Sequence, residues 1–188
     1  MNSKIKYFLF TALSGFALCV ILSPLFYRTA IFNHSYLVFS IVLTGFCGAV
    51  FYSVLKYRTT KEQILTGIII FILPVLIHGR SIRPTFWISD IVSVASLLGS
   101  IVCYKLFIDK YNSYPLFIRS MSLPFFLALF NFIATLILIL VYHPDAMKFN
   151  YAIFYYAKFG AFIGFGLGIG FDLFEKFKDK IIIEKKDE

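Results

Sequence analysis

Six apolar runs, each close to the length that crosses a lipid bilayer, follow one another between Tyr7 and Phe171 with short gaps between them. About 20 helical residues at ~1.5 Å each cover the ~30 Å of hydrocarbon in a bilayer. The runs fall at about 7–27, 36–55, 63–79, 85–104, 120–142 and 150–171. In lipid every backbone N–H and C=O needs an internal partner, so runs of this length are helical. The expected fold is all-α, a polytopic transmembrane bundle of six helices, with residues 1–188 forming a single integral membrane domain.

Composition excludes the soluble alternative. The chain is 60% hydrophobic and 15% charged, whereas soluble domains carry roughly 25% charged residues. There is too little polar surface to clothe a globule of this size in water. A net charge of +8 would suit a nucleic-acid partner only if the basic residues formed a patch. They sit instead in the gaps between apolar runs, which is the pattern of cytoplasmic loops. No nucleic-acid partner is expected.

The same basic residues orient the chain. With the N-terminus inside, the cytoplasmic side holds Lys4, Lys6, Lys56, Arg58, Lys61, Lys105, Lys110, Arg119, Lys176, Lys178, Lys180, Lys185 and Lys186. The outer side holds only Arg28, Arg80, Arg83 and Lys148. That asymmetry predicts an N-in/C-in topology, in a bacterial cytoplasmic membrane. The N-terminal run is too long for an ordinary signal sequence and lacks a clear cleavage site, so it reads as an uncleaved first helix.

The third run is the weak one. Only residues 63–79 lie between Glu62 and Arg80, and Pro74 interrupts them; a re-entrant hairpin competes with a full crossing. The dipeptide Tyr114-Pro115 predicts that the fifth helix begins after Pro115, because the residue before proline avoids helical geometry. Pro124 is then expected near its first turn. From Asp172 to Glu188 an amphipathic tail is expected at the cytoplasmic interface, with Phe174, Phe177 and Ile181 forming its apolar stripe.

Two charges lie inside spans, Asp90 and Lys158. Each costs roughly 2.5–3.5 kcal/mol at the bilayer centre on insertion scales, so each needs a reason. Both enter from the outer side and reach similar depth, which suggests an ion pair or a shared outward-facing pocket. A register-fixing pair and a lone snorkelling lysine are the plainer accounts. Arg80 and Arg83, just before the Asp90 run, could form a rim for phosphate or carboxylate groups, or simply snorkel beside Trp87.

Small residues mark packing seams. Ser89, Ser93, Ser96 and Ser100 fall on one stripe of the fourth run. Gly160, Gly164 and Gly168 form a GxxxGxxxG face on the sixth, and Gly166 and Gly170 form a second face. Such spacings favour close helix contact, within one chain or between copies. Asn131 and Thr135 are read as polar glue between helices. Cys19, Cys47 and Cys103 all lie in apolar runs and read as small hydrophobes. His34, His78 and His143 lack metal-ligand spacing. No phosphate-binding, zinc-protease or nucleophile-elbow motif occurs, and neither a metal nor a cofactor is expected.

Size, six spans and both termini on one side resemble in outline the substrate-binding S-components of energy-coupling-factor vitamin transporters. The first run departs from that family in having no clear AxxxA docking motif. The reading that follows from the residues is a non-enzymatic multipass subunit or accessory protein. Its partners would be the lipid bilayer and another membrane protein or a second copy of the chain. A small-solute or lipid-headgroup binder or transporter using Asp90, Lys158, Arg80 and Arg83 is the alternative. An intramembrane enzyme is the third.

Overall fold

The computed structural model describes residues 3–27, 34–78, 84–111, 113–142 and 146–183, and they form six helices with no strand among them. The helices are α1 (Ser3–Tyr27), α2 (His34–Tyr57), α3 (Thr60–His78), α4 (Pro84–Lys110), α5 (Leu116–Tyr142) and α6 (Ala146–Ile183). The chain is a membrane-embedded helical bundle. Within the described residues α1, α4, α5 and α6 are long and apolar enough to cross a membrane, and α2 carries a shorter apolar stretch, Ile41–Tyr57. The third run is one continuous 19-residue helix rather than a hairpin.

Successive helices run antiparallel. Phe16 meets Phe46 and Tyr7 meets Tyr57, which sets α1 against α2. Ser100 reaches the Phe126 carbonyl, which sets α4 against α5. The helices α1, α2, α4, α5 and α6 close around a core that includes Tyr52, Ile101, Tyr104, Leu127, Leu167 and Phe171. Among the described residues α3 packs only on α2 and α4, so most of its apolar side chains, Leu76 at 72% exposure among them, face outward. That distribution suits lipid as the solvent, since hydrocarbon does not penalise an exposed leucine.

Helix α6 is keyed on two sides. A Cβ on Gly164 would lie 2.6 Å from the Pro124 Cα, and one on Gly168 would lie 2.5 Å from the Ser120 oxygen. One on Gly160 would meet Asn131 and the Leu127 carbonyl. The GxxxGxxxG face is therefore seated on α5. The second face is seated on α1: a Cβ on Gly166 or Gly170 would lie 2.5 Å from the Cα of Cys19 or Gly15. Both glycine faces serve contacts within the chain.

Helix α6 continues past the sixth apolar run through Ile183, and Asp172 and Phe174 remain buried and extend its packed surface. Three expectations need correction. Pro124 lies two turns into α5 rather than in its first turn, because the helix starts as soon as Pro115 allows, at Leu116. Proline there has no N–H for the Ser120 carbonyl four residues back, and it is against this carbonyl that Gly168 packs. The serine stripe is narrower than its spacing implies. Ser96 and Ser100 are buried but Ser93 is exposed, and the Ser89 side chain lies outside the described residues. Asn131 and Thr135 hydrogen-bond to carbonyls of their own helix, at Leu127 and Asn131. Asn131 contributes between helices by packing on Gly160.

The α2–α3 connection is a tight, fully bonded turn. Thr59 N–H and hydroxyl donate to Glu62 Oε2 at 2.9 and 3.0 Å, and the Glu62 N–H returns a bond to the Thr59 hydroxyl. This reciprocal cap satisfies donors that the first turn of α3 would otherwise leave open. Gln63 closes the other side by donating to the Leu55 and Arg58 carbonyls at the end of α2.

Candidate functional site: a charge network at one end of the bundle

The antiparallel register brings the start of α1 and α5 and the far ends of α2, α4 and α6 together. Four charged side chains meet there. Arg119 is the fourth residue of α5, and its Nη2 lies 3.7 Å from Asp172 Oδ1 on α6, with side-chain exposures of 12% and 6%. A cation in the first turn of a helix opposes the helix dipole, so the Asp172 carboxylate answers a real electrostatic need. The Ser120 hydroxyl bonds the other carboxylate oxygen and also faces the Leu116 carbonyl at 2.9 Å.

The second pair is Lys56 on α2 with Glu175 on α6. Lys56 lies in the last turn of its helix, where a cation is favoured. The Tyr57 hydroxyl donates to Glu175 Oε1 at 3.3 Å and accepts from the Thr11 hydroxyl at 3.4 Å. Asp172 also feels the charges of Lys56 and Glu175, so the two pairs form one balanced field of two cations and two carboxylates. Below it lies an aromatic floor. Tyr52 stacks on Phe171 at 4.1 Å, and Tyr104 lies 5.4 Å from Tyr52 and 6.3 Å from Phe171. The Tyr104 hydroxyl is fully buried and has no hydrogen-bond partner among the described residues.

Chemically this arrangement ties helices together. Arg119–Asp172 joins α5 to α6, Lys56–Glu175 joins α2 to α6, and Thr11–Tyr57 joins α1 to α2. Each carboxylate is held by a cation and a hydroxyl. No group of three His, Cys, Asp or Glu side chains able to hold a metal occurs among the described residues.

Of the charged residues singled out from sequence, only the Lys158 side chain is described, and it is not part of this network. Arg80 and Arg83 lie outside the described residues, as does the side chain of Asp90, so the expected pairing of Asp90 with Lys158 falls outside them too. Lys158 is described, and it lies exposed on the outer face of α6. Helices α4 and α6 meet through the Tyr104 and Phe171 rings at the network end, with no close backbone approach between them among the described residues.

Sequence alone hides the network, because Arg119 reads as a loop cation and Asp172 as the start of a tail. One signal was present. Asp172 is the next position after Gly160, Gly164 and Gly168 on the same four-residue repeat, so a helix continuing past residue 171 must turn it toward α5.

No protein-family model, no curated protein and no solved structure matches this chain.

Proposed function

We propose that this chain is a non-enzymatic multipass membrane protein, a subunit or accessory of a larger membrane assembly. In this reading the charge network and both termini lie on the cytoplasmic side of the cell membrane. The observation that carries it is the use of the charges at one end of the bundle. Arg119, Asp172, Lys56 and Glu175 are engaged in joining α2, α5 and α6, which suits a rigid part that presents its surface to neighbours. The basic residues gathered toward that end support the orientation.

Two measurements test it. Native electrophoresis of the full chain in mild detergent is expected to give a species larger than one chain. A strict monomer with no copurifying protein overturns the reading. A fluorescent reporter fused after Glu188 is expected to mature, while a periplasmic phosphatase at the same point stays inactive; the reverse pattern overturns the orientation.

A second reading has one observation in its favour. The Tyr104 and Phe171 rings meet, and counting back 14 residues along α4 and 13 along α6 reaches Asp90 and Lys158, about 21 and 20 Å away. That common level supports a site for a small anionic solute or lipid headgroup near Asp90, Lys158, Arg80 and Arg83. Inorganic phosphate or a carboxylate solute should then raise the unfolding temperature of the wild type and not of the Arg80→Gln/Arg83→Gln variant. Equal shifts in both proteins remove this reading.

A further inference from the structure

We infer that Lys158 is an intramembrane docking point for a partner transmembrane helix that presents a carboxylate at the same depth. The inference rests on the reading of the chain as a membrane subunit and names the chemistry of its partner.

Three faces of α6 can be told apart. One is occupied by α5 through Gly160, Gly164 and Gly168, and another by α1 through Gly166 and Gly170. The third points out of the bundle and carries Phe154, Lys158 and Leu173, all exposed. Ala161 follows Lys158 on this face, and a residue that small lets a neighbouring backbone come close.

Depth argues that the ammonium needs a partner. Lys158 is 14 residues from Asp172, about 21 Å along the helix and so about 9 Å short of the far surface of a ~30 Å core. The lysine stem, about 6 Å long, covers only part of that distance by snorkelling. No described residue forms an ion pair with Lys158. The helix that carries Asp90 makes no close backbone approach to α6 among the described residues, and the ring contact between the two, Tyr104 with Phe171, lies 13 residues along α6 from Lys158. A cation on a lipid-facing surface is best satisfied by an opposing charge brought by another helix. The exposed Phe154 one turn away supplies apolar contact beside it.

The test uses the full chain in native membranes, with a benzophenone amino acid in place of Phe154. The expected photoproduct joins this position to an apolar segment of another protein that contains Asp or Glu. Lys158→Arg should retain the product. Lys158→Met should lower it about tenfold, the scale of one interhelical polar contact of 1–2 kcal/mol. Replacing the identified carboxylate by its amide should lower it equally.

Lys158→Met should unfold at the wild-type temperature, which separates docking from folding. Cross-linking to lipid alone, or to a segment without an acidic residue, overturns the inference. So does an unchanged product in Lys158→Met. If Lys158→Met still migrates with its partner on native gels, the docking point is wrong and the subunit reading stands. If the wild type itself migrates as a lone chain, both fall.

Discussion

Arg119 and Asp172 face each other at 3.7 Å across the α5–α6 contact, both withdrawn almost completely from the surface. Removing one member of such a pair strands the other charge. Asp172→Leu or Arg119→Met is expected to destabilise the bundle by about 3–5 kcal/mol. The double replacement should recover most of that loss, because two apolar groups leave no buried charge behind. Unfolding by a denaturing detergent, followed by circular dichroism, reads the difference; losses that simply add in the double variant would show that the pair is not coupled.

Glycine substitutions should divide sharply by position. Gly170→Leu pushes a side chain into the backbone of α1 at Ser14 and Gly15 and should cost about 1–3 kcal/mol or prevent assembly. Gly67→Ala places its methyl 3.5 Å from the Phe51 ring, an ordinary contact. It should raise stability by up to about 1 kcal/mol, since alanine is the better helix former. Unfolding temperatures in one detergent decide both, and a loss at Gly67 comparable to that at Gly170 would contradict this packing.

The Tyr104 hydroxyl sits in the core without a hydrogen-bond partner among the described residues. A buried polar group left unsatisfied costs about 1–3 kcal/mol. Tyr104→Phe removes the hydroxyl and keeps the ring against Tyr52 and Phe171, so the variant should be more stable by about 1 kcal/mol or more. A measurable loss of stability instead would reveal a partner for that oxygen, such as an internal water.

At the start of α3, hydrogen bonds from the Thr59 backbone and side chain hold the Glu62 carboxyl below its ordinary value of 4.5. A depressed carboxyl stabilises the fold above that value, and the contribution is lost as pH falls through the lowered one. Carbon-detected NMR of Glu62 in micelles should give a midpoint below 4.5 in the wild type. Thr59→Val should move the midpoint upward; no movement would break the link to the cap.

The bundle could be read from sequence because lipid imposes its terms directly. Runs such as 120–142 must satisfy their own backbone, and that fixes helices before any packing is known. Pro115 located the start of α5 for the same kind of local reason. The charge network was harder because it depends on where helices end. Arg119 and Asp172 lie one residue outside the apolar runs, yet α5 and α6 extend past both, so loop charges became paired interior charges. The glycine spacing predicted close contact but not its direction. Choosing α1 and α5 over a second chain required knowing which helices lie on either side.

Those two keyed faces also bear on how the protein is made. Helix α6 is synthesised after the other five, yet α1 and α5 both depend on it for their closest contacts. A nascent chain can insert its first helices early, but the groove between α1 and α5 stays open to lipid until the sixth arrives. The sixth helix is thus the keystone of assembly, and a ribosome that stalls before Gly160 leaves α1 and α5 without the element that joins them.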